Sequence, residues 1–125
     1  MKKIISTNKA PGAIGPYSQA VKTGNMLFTS GQIALDPETG ELVMDDVSIE
    51  THQVMSNMKA VLEEAGMTFE NVVKTTIFLQ DMGDFAAVNE VYASYFSSDF
   101  PARETVQVAC LPKSVNVEIS MIAVD

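Results

Sequence analysis

Two side chains near the C-terminal end of the sequence are chemically conspicuous, Arg103 and Glu118. Arg103 follows Phe100-Pro101-Ala102, where an extended segment leads into an uncharged strand, Thr105 to Cys110. Glu118 stands between Val117 and Ile119 in a run that is otherwise apolar or neutral. A permanent cation and a carboxylate carried on rigid β-structure are suited to holding a small carboxylic acid and moving a proton. A plainer reading exists for each: a surface ion pair for Arg103, and a strand face turned to water for Glu118. One Arg and one Glu carry too little specificity to choose between these readings.

The elements that must position this pair follow from periodicity. Thr105 to Cys110 and Val115 to Val124 alternate apolar or β-branched residues with others, which predicts two strands. Leu111-Pro112-Lys113-Ser114 lies between them, where proline cannot continue a paired strand, so the two are expected to form a hairpin. With the bend near residues 112 and 113, Glu118 falls opposite Gln107, and its backbone stands roughly 13 Å from that of Arg103 at about 3.3 Å per residue. The site is then either stretched along one hairpin or completed across an interface between copies.

Earlier in the chain, Lys3 to Ser6 reads as a short strand, and Pro11, Gly12, Gly15 and Pro16 make Asn8 to Ser18 a loop. Tyr17 follows that rigid turn, either as an anchor to the core or as part of a pocket. Gln19 to Lys22 and Met26 to Ser30 form a hairpin about Gly24-Asn25. Gly31, at the end of that run, marks a bulge or a place where something approaches the backbone closely. Asp45 to Ala65 is a helix, capped by Asp45, Asp46 or Ser48 and ended by Gly66. Val72 to Gln80 is a near-continuous apolar strand, expected at the centre of its sheet. Asp84 begins a second helix whose inner face is Phe85, Val88, Tyr92, Tyr95 and Phe96, with Asn89 adjoining it. This order predicts an α+β domain with a mixed sheet of about six strands and both helices on one face. Met26, Phe28, Ile77, Leu79 and Val108 then need cover on the other face, which is expected to come from further subunits.

The chain of 125 residues is expected to form one domain, 1–125. A net charge of −8 and the absence of a basic stripe make nucleic acid an unfavoured partner. A small anion is less hindered, because one well-placed Arg dominates the field in a cleft. No run is long enough to cross a membrane, and the N-terminus has no signal-like apolar core, so a cytoplasmic protein is expected. The lone Cys110 reads as a small apolar strand residue, and with His52 the one histidine no metal site is expected.

Gly15-Pro16-Tyr17-Ser18-Gln19-Ala20, Phe28-Thr29-Ser30-Gly31-Gln32, Val88-Asn89-Glu90-Val91-Tyr92 and Pro101-Ala102-Arg103 through Leu111-Pro112 to Glu118 together resemble the RidA (YjgF) family. The likeness runs in order over essentially the whole chain. It implies a chorismate-mutase-like fold, a homotrimer with clefts between subunits, and cofactor-independent hydrolysis of 2-imino acids to 2-oxo acids and ammonia. Such imines arise from reactive enamines such as 2-aminoacrylate and 2-aminocrotonate. By the same resemblance Arg103 binds the substrate carboxylate and Glu118 activates water, while Tyr17, Ser30, Gly31, Asn89 and Thr105 bind substrate. Thr105 stands where the family often has cysteine. Glu104 stands where it commonly has a small hydroxyl residue, and an inward-pointing Glu104 would weaken anion binding. Two other functions compete: a non-catalytic sensor of 2-oxo acids, and a role on RNA or in translation that is also attached to RidA-like proteins.

Overall fold

Alternation along Val117–Val124 places Val117, Ile119, Met121 and Ala123 on one side of the strand, each at most 2% exposed, and Glu118, Ser120 and Ile122 on the other. That strand lies near the middle of a six-stranded sheet in the computed structural model, which describes residues 1–125. The elements in chain order are β1 (Lys2–Ile5), β2 (Ala20–Thr23), β3 (Met26–Thr29), α1 (Val47–Glu64), β4 (Val72–Leu79), α2 (Phe85–Ala93), β5 (Ala102–Gln107) and β6 (Val117–Val124). The sheet order is β1-β2-β3-β6-β4-β5. Only β4 and β5 run parallel, because α2 carries the chain across between them. The α+β class, the mixed six-stranded sheet and the two helices agree with the sequence reading.

The expected hairpin of the last two strands does not form. β4 is inserted between β5 and β6, parallel to the first and antiparallel to the second. Two physical reasons favour this. β4 has Val72, Thr75, Ile77 and Leu79 fully buried on one face, and it gains most from ladders on both edges. β5 carries exposed Arg103, Glu104 and Gln107, which suit a strand with one open edge. The Pro112–Ser114 connection is a short 3-10 turn with Lys113 and Ser114 at φ 56° and 58°, part of a long return rather than a tight bend.

α1 starts where Ile49 N donates to Asp46 Oδ1 at 2.8 Å and ends before Gly66, whose φ of 75° suits the residue after a helix. Val54, Met55, Met58, Val61 and Leu62 on its inner face are all 0% exposed, and burying each contributes about 1.5–3 kcal/mol. α2 is shorter than its aromatic pattern suggested. It stops at Ala93, so Tyr95 and Phe96 lie beyond it and stack edge-on against Phe69. Asp84 stands at its N-cap without a side-chain bond; Asp81 instead accepts from Gly83 N in the preceding turn.

The face of the sheet away from the helices is partly apolar. Met26, Phe28 and Val106 are exposed there, at 37%, 41% and 44%. Ile77 and Leu79, which the sequence reading also assigned to the uncovered residues, are 1% and 0% exposed beneath the helices. They share the face of buried Thr75 by strand alternation. No helix is long and apolar enough to cross a membrane.

Candidate active site

Arg103 is aligned with Thr75 in the β4–β5 ladder, and Thr75 is fully buried on the helix side. Its side chain therefore rises toward α2. There Nη1 donates to Asn89 Oδ1 at 2.6 Å, and the guanidinium lies 5.5 Å from the Phe85 ring centroid and 5.2 Å from that of Tyr92. Each such cation–ring contact contributes about 0.5–1 kcal/mol at an exposed site. Tyr92 is itself fixed by a 2.8 Å hydrogen bond with Thr75 Oγ1. Burial raises the Tyr92 pKa, while the Thr75 hydrogen bond and the Arg103 charge oppose the rise. No carboxylate pairs with Arg103, so the surface ion-pair reading does not hold. The guanidinium is held from behind and opens into a recess of about 380 Å³ lined by Asn89, Tyr92, Ala93, Phe100 and Pro101. Asn89 thus orients the arginine, which its place on an exposed-looking helix position did not reveal. Glu104 leaves on the opposite face to pair with Lys74, whose hydrogen bond and charge lower its pKa. It does not point inward beside Arg103.

Glu118 is aligned with Phe78, on the face away from the helices. It is half-buried, and that burial raises its carboxyl pKa above the usual glutamate value. Gly31 explains itself here. A Cβ added at this residue would lie 2.6 Å from Glu118 Oε2 and 2.7 Å from Cδ, so the close approach anticipated at the glycine is made by this carboxylate. The segment is held beside β6 by Gln32 N to Ile119 O at 2.8 Å and Ile119 N to Gln32 O at 3.1 Å. Ser30 works as a latch: its Oγ donates to Ser18 O at 2.6 Å and its N to Gln19 O at 2.9 Å. Gln19, buried, pins the loop further, accepting from Thr7 N at 2.7 Å and donating to Pro11 O at 2.7 Å. Tyr17 projects from this pinned loop, 54% exposed, and is not a core anchor.

Tyr17, Ser30, Gly31 and Glu118 line one cavity of about 580 Å³, together with Pro11, Ile14, Ile33, Leu35, Pro112 and Lys113. None of these six was singled out in the sequence as a site residue. Lys113 lay in what read as a plain connection, and only its place just before a strand bearing Glu118 hinted at more.

Within one chain the two groups do not meet. Arg103 aligns with Thr75 and Glu118 with Phe78, with β4 between their strands. Three residues along and two strands across put the backbones about 14 Å apart, and their side chains leave opposite faces of the sheet. Each chain therefore presents the two candidate groups separately, on opposite faces of the sheet. Thr105, two residues after Arg103 and aligned with buried Ile77, shares the arginine's face; its Oγ1 is buried without a hydrogen-bond partner.

Gly31→Ala tests the Glu118 half. The obstacle is the end of a flexible side chain and the glycine φ is not left-handed, so the fold should tolerate the methyl group while the carboxylate is displaced. We expect a thermal midpoint within a few degrees of wild type and an activity loss of about tenfold or more. Thermal melts beside steady-state kinetics check it.

The chain is similar over nearly its whole length to proteins already known. Residues 7–125 match the family described as endoribonuclease L-PSP. A 2-iminobutanoate/2-iminopropanoate deaminase of Homo sapiens is 52% identical over 124 residues, covering 99% of this chain and 90% of the relative. A RutC family protein of Pyrococcus horikoshii is 54% identical, covering 98% of each. Among solved structures, E. coli TdcF with bound serine superposes with a TM-score of 0.94 at 48% identity, covering 98% of each chain. A putative endoribonuclease of Thermotoga maritima gives 0.98 at 54% identity, covering 100% of this chain and 98% of that one. With its match over nearly the whole length and relatives of this similarity, the chain belongs to the endoribonuclease L-PSP family, that of the YjgF/RidA proteins.

Proposed function

We propose that the protein is a cofactor-independent deaminase that hydrolyses reactive 2-imino acids to 2-oxo acids and ammonia, in clefts between the subunits of a homotrimer. The observation that carries this reading is the division of the site. An unpaired, pre-oriented guanidinium lies on one face of the sheet, and a carboxylate of raised pKa lines a cavity on the other. Neither half alone does the chemistry, and the apolar face bearing Met26, Phe28 and Val106 supplies a reason for copies to associate.

In the joint site Arg103 of one subunit clamps the substrate carboxylate through two parallel hydrogen bonds, which fixes orientation as well as charge. The imine carbon then faces a water held by Glu118 of the next. The water oxygen attacks that carbon as Glu118 takes its proton, and the C=N electron pair becomes the amine nitrogen's lone pair. The protonated Glu118 returns its proton to nitrogen. It then takes the carbinolamine hydroxyl proton as the C–N pair leaves with ammonia and the C–O bond becomes the carbonyl of the 2-oxo acid. That proton passes to the ammonia, which departs as ammonium. A positioned base contributes about 10²–10⁴-fold. A protonated imine is already electrophilic, so no metal or prosthetic group is called for.

Mixing inactive variants tests the shared site. With Arg103→Ala and Glu118→Gln chains co-assembled in equal amounts at random, about one interface in four takes its arginine from one variant and its glutamate from the other. Imine hydrolysis should return to about a quarter of the wild-type rate per chain. Activity that stays at the level of the separate variants would place both groups in one subunit.

A non-catalytic sensor needs the cation but not the base, and Glu118 in its own shaped cavity beside Gly31 favours turnover. The family description and the Thermotoga neighbour's name speak of endoribonucleases. A net charge of −8 and two separated half-sites favour a small acid over an RNA backbone.

A further inference from the structure

One charged side chain in the Glu118 cavity takes no part in the hydrolysis just described. Lys113 is the only cation lining that cavity. The protein's two ion pairs are Lys22–Asp125 and Lys74–Glu104, so Lys113 has no carboxylate partner. Nor is it paired with Glu118, the one carboxylate that lines the same cavity.

Its support is unusually well built. Lys113 and Ser114 are consecutive residues in the left-handed region, at φ 56° and 58°, a conformation that side-chain-bearing residues adopt at a cost. The turn is closed by Ser114 N to Leu111 O at 3.1 Å. Behind it, Asn116 N and Nδ2 donate to the two oxygens of Glu50 at 2.8 Å each, and Glu50 is fully buried in α1. Gln80 N donates to Asn116 O at 3.0 Å, so the peptide is held from both sides. A surface lysine in a mobile loop would have no such framework. A strained turn anchored to a buried carboxylate fixes where Cβ of residue 113 points.

We propose that Lys113 is a specificity residue that accepts a second, distal carboxylate of the substrate, fitting the cavity to short dicarboxylic 2-imino acids as well as monocarboxylic ones. The proposal rests on the deaminase reading. Arg103 of the neighbouring subunit takes the carboxylate next to the imine carbon, and the distal carboxylate reaches the lysine within the cavity that Glu118, Ile14, Ile33 and Leu35 also line. In a chain of net charge −8 a substrate with an extra negative charge is otherwise repelled, and one local cation reverses that inside a cavity.

The experiment compares 2-iminoglutarate with 2-iminobutanoate, each generated in situ, in the wild type and in Lys113→Met and Lys113→Arg. Calorimetric binding of 2-oxoglutarate and 2-oxobutanoate runs beside it. In wild type, 2-oxoglutarate should bind at least as tightly as 2-oxobutanoate. In Lys113→Met the dicarboxylate-to-monocarboxylate ratio of kcat/KM should fall about tenfold, with the same change in the binding ratio. Lys113→Arg, which keeps the charge, should hold the ratio within about threefold of wild type. Equal losses for both substrates in Lys113→Met, or the same ratio in the Met and Arg variants, overturn the assignment while leaving the deaminase reading intact. A wild type that accelerates neither imine overturns both.

Discussion

Replacing Arg103 by alanine is expected to lower kcat/KM for imine hydrolysis by about 10²–10³-fold, with the rise in KM carrying much of it. The magnitude follows from two charge-assisted hydrogen bonds to the substrate carboxylate, lost together with the alignment they impose. Stability should hardly change, because the side chain is exposed and gives up only its contacts with Phe85, Tyr92 and Asn89. Arg103→Lys is the sharper variant. It preserves the charge but presents a single ammonium in place of a planar fork held by Asn89 Oδ1 against two rings, and should recover less than about tenfold. A coupled assay with threonine dehydratase generating 2-aminocrotonate measures both. Equal oxo-acid release by wild type and Arg103→Ala would remove Arg103 from the mechanism.

Glu118→Gln should lower kcat by about 10²–10⁴-fold and affect 2-oxobutanoate binding far less, since the amide keeps the shape and loses the base. Two pH effects follow from the raised carboxyl of Glu118. As the acting base must be ionised, the acid limb of wild-type kcat/KM should lie above the ordinary glutamate range, and the residual activity of Glu118→Gln should lack it. The stability effect has the opposite sense to that of a salt-bridged acid. A folded-state pKa above the unfolded one means that the folded chain binds the extra proton, so stability is lost as pH rises from the unfolded value through the folded one. Glu118→Gln should therefore melt a little higher than wild type at neutral pH. The difference should vanish below the ordinary glutamate pKa, where both states are protonated. Differential scanning calorimetry across that window checks the sign; a variant that melts lower at neutral pH and equally at acid pH would contradict it.

The anchoring framework of the site differs in kind between its halves. Arg103 is positioned by three side chains of α2, Phe85, Asn89 and Tyr92. Those residues recur at helical spacing, so their joint orientation was implicit in the sequence even though Asn89 read as an exposed position. Glu118 is positioned by a missing side chain at Gly31 and by a loop pinned through Gln19 and Ser30. Its partners lie far away in sequence; Gly31 announced a close approach there but not which group makes it.

Periodicity and turn chemistry alone determined the presence of the strands, the long helix with an acidic or serine cap among Asp45, Asp46 and Ser48 and its Gly66 terminus, and the β2–β3 hairpin at Gly24-Asn25, and they made Arg103 and Glu118 conspicuous without assigning them a role. These are local properties, set by side-chain spacing and backbone preference within a few residues. Strand order was not local. Whether β5 pairs with β6 or with β4 depends on which arrangement buries Ile77 and Leu79 beneath the helices and leaves the charged strand at the edge. Only the tertiary structure decided that, and with it the site. Setting β4 between the two strands sent Arg103 and Glu118 to opposite faces, because the side chain of a strand residue follows its register with its neighbours and not its distance along the chain.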